Sequence, residues 1–117
     1  MKTREQQRAH DAYEKIVARQ TDPHRQDYGR LCIHLPELIH RNGLCQTVAF
    51  LEAKGGDTER KPWFGQLLGD FTAVTKLVPP PKQFAREVRN AQLMDYQRFT
   101  REALACAQWF KRLPRRF

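Results

Sequence analysis

Tyr96-Gln97-Arg98-Phe99-Thr100-Arg101-Glu102-Ala103-Leu104-Ala105-Cys106-Ala107-Gln108-Trp109-Phe110-Lys111-Arg112-Leu113 decides the fold. Taken at 100° per residue, Tyr96, Phe99, Ala103, Cys106, Ala107, Phe110 and Leu113 fall within roughly 120° of one another, a face that a helix can bury. Arg98, Arg101 and Arg112 fall on the opposite side, within roughly 60°. Trp109 projects beside these arginines rather than toward the core. Pro114 ends the helix, because it cannot donate to the ladder.

Working back from this helix, a break is expected near Gln92–Asp95, with Asp95 as N-cap. A short helix before it carries Phe84, Val88 and Ala91, and Pro81 is placed to open it. Pro79-Pro80-Pro81 stops the preceding helix, which spans about Arg60 to Leu77 with Pro62 in its first turn. Trp63, Phe64, Leu67, Leu68, Phe71, Val74 and Val78 give that helix a core stripe. Gly55–Lys61 is the most polar connector. The helix before it spans about Leu44 to Lys54. Leu44, Val48, Ala49, Phe50, Leu51 and Ala53 wrap most of its circumference, which predicts the most buried element of the domain. Phe50→Ala is then expected to cost about 3–5 kcal/mol.

Asn42-Gly43 reads as a C-cap. Upstream, Asp22-Pro23 reads as an N-cap with Pro at the first helical position, opening a helix with Tyr28, Leu31, Cys32 and Leu35. Pro36 is expected to kink or restart it, with Leu38 and Ile39 in a short turn. The first helix covers about Thr3 to Gln20, and Thr3 with Gln6 spells a capping box. Ala9, Ala12, Tyr13, Ile16 and Val17 form its apolar stripe. Arg4, Arg8, Lys15 and Arg19, with Asp11 among them, lie on another face and read as solvated, with partial i,i+4 pairing. No run of alternating Val, Ile and Thr marks a strand. The expected fold is all-α, a single domain over residues 1–117 with five or six helices.

Composition fits. The chain has 117 residues, 40 % of them apolar and 29 % charged, a globular mix with no run approaching a bilayer span. Its polar N-terminus predicts no secretory leader. Three cysteines without clustered spacing argue against a disulfide framework and fit a reducing, cytoplasmic setting. Net charge is +8, which makes a polyanion the first partner to consider. Residues 1–60 carry 10 basic and 9 acidic side chains, a net of +1, whereas residues 61–117 carry 11 and 4, a net of +7.

Enzymatic chemistry finds no support in the sequence. It has no phosphate-binding loop, no G-x-G-x-x-G and no G-x-S-x-G. Its carboxylates are scattered, mostly beside Lys or Arg, so no catalytic residue is assigned. Cys32, His34, His40 and Cys45 come nearest to a metal site, but their spacing is not that of zinc ligands. No metal, no cofactor and no small-molecule substrate are expected. The three cysteines read as small buried hydrophobes, and His10 and His24 as surface residues. Asn42-Gly43 could join a helix-turn-helix, yet the would-be recognition helix has no Arg or Lys before Lys54, so sequence-specific reading of a duplex is disfavoured.

Trp109 among arginines leaves three accounts open. The indole stacks on a base or ribose while arginines hold phosphates. It anchors a partner protein, where Trp and Arg dominate binding energy. Or a neighbouring helix covers it and nothing binds there.

Two motifs carry a resemblance. Leu35-Pro36-x-Leu38-Ile39-x-x-Asn42-Gly43-Leu44-x-Gln46-x-x-Ala49-Phe50-Leu51-x-Ala53-Lys54, followed by Tyr96-x-x-x-Thr100-Arg101-Glu102-Ala103-Leu104-x-x-x-x-Trp109-x-Lys111-Arg112, resembles the small helical subunit of type III-B CRISPR (Cmr) RNA-guided effector complexes. The motifs cover about a third of the chain, and their order and separation fit across residues 28–113. Pro114 ends the last helix earlier than is usual in that family. The resemblance implies an all-helical, non-nucleolytic antiviral-defence protein that stacks with further copies of itself. It implies contact with target RNA and with other Cmr subunits of a guide-RNA ribonucleoprotein, with no membrane involved. It places Lys54, Arg101, Lys111 and Arg112 on the family's basic positions and Trp109 on its aromatic one. The expected RNA-binding residues are therefore Arg98, Arg101, Lys111, Arg112, Lys54 and Trp109, with Arg86 and Arg89 as weaker candidates. The competing expectation is a scaffold that touches protein alone.

Overall fold

Thr3 starts the first helix by reciprocal capping. Its hydroxyl accepts the Gln6 N–H at 3.1 Å, while the Gln6 side chain accepts the Thr3 N–H at 2.8 Å. Helix α1 then runs Arg4–Ala18, followed by α2 Arg25–Asn42, α3 Leu44–Lys54, α4 Trp63–Thr75, α5 Phe84–Asn90 and α6 Leu93–Arg112. A 3-10 turn, Leu113–Arg116, closes the chain and takes in Pro114. The computed structural model describes residues 1–78 and 83–116, with the backbone alone at 115 and 116. Among the described residues every regular element is helical, as the apolar periodicities require.

The longest helices, α2 and α6, pack most extensively on each other and make the centre. Tyr28, Cys32, Leu35 and Ile39 of α2 meet Phe99, Ala103, Cys106 and Phe110 of α6, all buried. Phe71 of α4 stands edge-on to Phe110 at 5.8 Å and to Phe84 of α5 at 6.3 Å, which ties three helices through aromatic pairs. The radius of gyration is 13.5 Å, close to the ~13 Å that ordinary packing gives at this length.

Helix α3 departs from expectation. It lies at the edge, against α2, α4 and α5, and buries Leu44, Thr47, Val48 and Leu51. Ala49 and Ala53 face outward, and Phe50 is 39 % exposed. An all-round apolar composition does not by itself make a helix central. Two longer helices already occupy the middle, and α3 has neighbours on one side.

Pro36 neither kinks α2 into two helices nor restarts it, since the helix runs unbroken through a buried Pro36 and includes Leu38 and Ile39. The lost ladder bond is outweighed by burial of Cys32, Leu35 and Ile39 on both sides of the proline. Asp22 is not the N-cap of α2. One of its carboxylate oxygens accepts the His24 N–H at 2.7 Å and the other accepts the Gln66 side-chain amide at 3.1 Å, so an Asx turn precedes a helix that begins at Arg25. Nor does Asp95 cap α6, which starts earlier, with Gln92 as N-cap and Asp95 in its first turn beside the positive helix end. Helix α4 stops at Thr75, where Lys76 adopts a left-handed φ of 54°, before the expected Leu77. Pro79–Pro81, expected to punctuate this region, lie outside the described residues.

Two glycines are required by geometry. Gly43 joins α2 to α3 at φ +82°, and a Cβ there would stand 3.4 Å from the Tyr96 hydroxyl. That hydroxyl accepts the Cys45 N–H at 2.9 Å and so satisfies the N-terminus of α3, whose N-cap has no side chain. At Gly55, where α3 meets α4, a Cβ would come within 2.9 Å of the Leu51 carbonyl and 3.2 Å of the Gly65 Cα.

Helix α1 is the other correction. Its apolar stripe buries Ala12 and Ile16, but Tyr13 is 56 % and Val17 37 % exposed. Of its arginines, read as solvated, Arg8 and Arg19 are half-buried, and Arg4, though exposed, also bridges to another helix. Arg4 and Arg8 both reach Glu102 of α6 at 2.7 Å, and Arg19 makes a two-bond fork on Asp70 of α4 at 3.0 Å. Asp11 pairs with Lys76 at 3.1 Å. In α1, ion pairs to α4 and α6 add to the apolar contact of Ala12 and Ile16.

Candidate nucleic-acid interface

The outer face of α6 follows from its inner one. Burial of Phe99, Ala103, Cys106, Ala107 and Phe110 leaves Arg98, Arg101 and Arg112 exposed, along about 20 Å of helix at 1.5 Å per residue. Arg98 lies over the Phe99 ring at 5.1 Å and has a long contact, 3.9 Å, with Asp95. Arg101 and Lys111 make no ion pair among the described residues. Arg112 stacks on Trp109, 5.2 Å from its ring centroid.

Trp109 is half-buried, and its indole N–H donates to Glu5 of α1 at 2.6 Å. The same carboxylate accepts from Arg8 at 3.0 Å. A neighbouring helix therefore covers one edge of the indole. Arg112, which lies over its ring, stays exposed.

Beneath the strip lies a clamp that the sequence reading missed. Glu102 accepts from Arg4, Arg8 and the Cys106 thiol, the last at 3.2 Å. Burial works to raise its pKa, but hydrogen bonds from Arg8 and Cys106 and the charges of both arginines outweigh that and bring it to about 2. Burial, with the Glu102 hydrogen bond, pushes the Cys106 thiol up to about 12, so it is held as a thiol. Arg4 also donates to the Thr75 carbonyl at 3.4 Å, at the C-terminus of α4.

Asp70 is the second missed residue. It is 7 % exposed, held by Arg19 and by the Tyr28 hydroxyl at 2.7 Å. The signal was present, because Asp70 is the one acid between Trp63 and Val78, and a lone acid in an apolar helix is either paired or misplaced.

Lys54 is exposed at the far end of α3, about 14 Å along the helix from Cys45, where Tyr96 of α6 makes contact. It does not join the α6 strip. Arg89 pairs with Glu52 at 3.4 Å, whereas Arg86 is exposed. Of the four residues that come nearest to a metal site in the sequence, Cys32 is buried, Cys45 half-buried, and His34 and His40 exposed. Among the described residues, His10, Asp11 and Glu14 place ligand atoms within 4.8 Å of one another, but Asp11 already pairs with Lys76 and His10 with Glu14. No described helix is long and apolar enough to cross a membrane.

A family model described as CRISPR-associated protein (Cas_Cmr5) matches residues 4–117. The chain belongs to the Cas_Cmr5 family. A relative named CRISPR system Cmr subunit Cmr5, from Thermus thermophilus, is 35 % identical over 112 residues, covering 96 % of this chain and 93 % of that one. The crystal structure of a CRISPR-associated Cmr5 family protein from Thermus thermophilus superposes with a TM-score of 0.84 at 33 % identity, over 99 % of this chain and 97 % of that one. The resemblance drawn from the two motifs and the all-helical fold are thereby established.

Proposed function

We propose that this chain is the small, non-catalytic subunit of a cytoplasmic type III-B Cmr effector. It binds target RNA without sequence preference and stacks with neighbouring subunits and further copies of itself. Membership of the Cas_Cmr5 family and a relative named as a Cmr subunit support the place in the assembly. One observation supports the RNA contact: Arg101 and Lys111 are left unpaired among the described residues, while the arginines of α1 are held by carboxylates. Arg98, Arg101, Lys111 and Arg112 neutralise phosphates, and four such contacts give a log–log salt slope near −3 (about 0.7 per contact). Stacking along a filament multiplies a weak affinity per copy.

A scaffold reading has its own support, because the indole N–H of Trp109 is already engaged by Glu5. Retention of single-stranded RNA across a salt series, with Arg101→Glu and Lys111→Glu combined, decides between them. The RNA reading expects weaker retention and a slope shallower by about 1.4, two contacts' worth. Unchanged retention with blocked assembly establishes the scaffold. Purified protein is expected to leave RNA uncut with or without divalent metal.

A further inference from the structure

A second surface lies at the other end of α4. Four rings from two helices, α3 and α4, and the turn before α2 stand in a row: His24 is 5.4 Å from Trp63, Trp63 is 5.8 Å from Phe64, and Phe64 is 5.7 Å from Phe50. His24, Trp63 and Phe64 are half-buried, and Phe50 is exposed. At the Phe50 end the row opens into a groove of about 440 Å³, where Asn42 and Gln46 present exposed side-chain amides.

The row is bordered by cations. Arg60 and Lys61 precede it directly, Arg25 follows His24, and Lys54 leads into Gly55, which touches Gly65 of α4. All four are exposed, and none forms an ion pair among the described residues. Of the nearby acids, Asp22 gives its oxygens to His24 and Gln66, Asp57 accepts the Arg60 N–H at 3.2 Å, and Glu52 faces Arg89. Glu59 is left as the one acid in this segment without such a contact.

Rings at stacking height, cations beside them and amides able to meet base edges are the chemistry that holds an unpaired strand. We infer that the Phe50–Phe64–Trp63–His24 row is a second contact for single-stranded RNA, separate from the α6 strip. Trp63 opens α4, and Arg4 meets the far end of that helix at Thr75, about 18 Å away along the axis. Trp109 lies at that far end, through Glu5 next to Arg4. The inference rests on the reading of this chain as an RNA contact, and it accounts for Lys54, which the fold sets apart from α6. A strand held at both ends of α4 would not follow α6 alone.

Trp63 and Trp109 are the two tryptophans of the chain, so each surface reports separately. In Trp109→Phe protein all indole emission comes from Trp63, and in Trp63→Phe protein from Trp109. Titration with an unstructured oligouridylate at low salt is expected to quench both. In the Trp109→Phe background, Phe50→Ala is expected to weaken the binding seen by Trp63 about fivefold or more, with Lys61→Glu acting in the same direction. If Trp109 responds and Trp63 does not, the second contact is overturned and the α6 reading stands. If Trp63 responds while Trp109 and the α6 charge reversals do nothing, the α6 reading fails and this one stands. A Trp63 that responds to other subunits but not to oligouridylate makes the row a protein-docking face and overturns the inference.

Discussion

Helices α1 and α6 carry the same kind of cation and use it in opposite ways. Arg4, Arg8 and the C-capping Arg19 of α1 turn inward onto Glu102 and Asp70. Arg101 and Arg112 of α6 turn outward. The difference changes how the charge count should be read. The acids of residues 61–117 are Asp70, Glu87, Asp95 and Glu102, and two of these four are met by arginines from the first half. The outward cations of α6 therefore face less opposing charge than the half-chain total indicates, since Glu102 is cancelled from beneath.

The two helices also differ in what attaches them, and a matched pair of substitutions tests this most sharply. Phe110 of α6 is fully buried, so Phe110→Ala is expected to cost about 3–5 kcal/mol in denaturant unfolding. Phe50→Ala removes the same ring from an exposed edge position and is expected to cost about 1 kcal/mol or less. Equal costs would restore α3 to the centre and displace α2 and α6 from it.

That pair also marks how far the sequence could be read. Helix number, class and the inner face of α6 were legible because period and capping are local properties. The capping box at Thr3 and the positive-φ turn at Gly43 were equally legible. The rank of α3 was not, because circumference says what a helix can bury and not which neighbours arrive. Pro36 misled for a related reason: its local cost is real, and long-range packing overrides it. At the site, Arg98, Arg101 and Arg112 read as lying opposite the core and are exposed, whereas Lys111 is half-buried, and the pairing of Arg4 and Arg8 with Glu102 spans more than ninety residues of sequence. No periodicity in α1 alone could separate a solvated arginine face from a clamped one.

Acid titration probes the clamp. Glu102 has its pKa lowered from 4.5 to about 2 in the folded chain. A depressed carboxylate contributes stability that is present above its unfolded value and lost as pH falls through the folded one. Stability from this group is therefore expected to hold above about pH 5 and to fall between about pH 4.5 and 2, by on the order of 1–2 kcal/mol once solvent screening is allowed for. Glu102→Gln should flatten that part of the profile and lower stability at neutral pH. A wild-type profile that the substitution leaves unchanged would mean that α1 is held by something other than this clamp.

The smallest expected change is the most informative about function. Arg101→Glu reverses a charge with no ion-pair partner among the described residues, so its effect on unfolding is expected to stay within about 0.5 kcal/mol. A residue that contributes so little to the fold is free to be used elsewhere, whereas Arg8 is committed to Glu102 and Glu5. The comparison between the helices thus predicts a separation of readouts: Arg101→Glu lowers RNA retention without moving the unfolding midpoint, and Glu102→Gln moves the midpoint. A large stability loss at Arg101 would reveal a hidden partner for that side chain, and the distinction between inward and outward arginines would collapse with it.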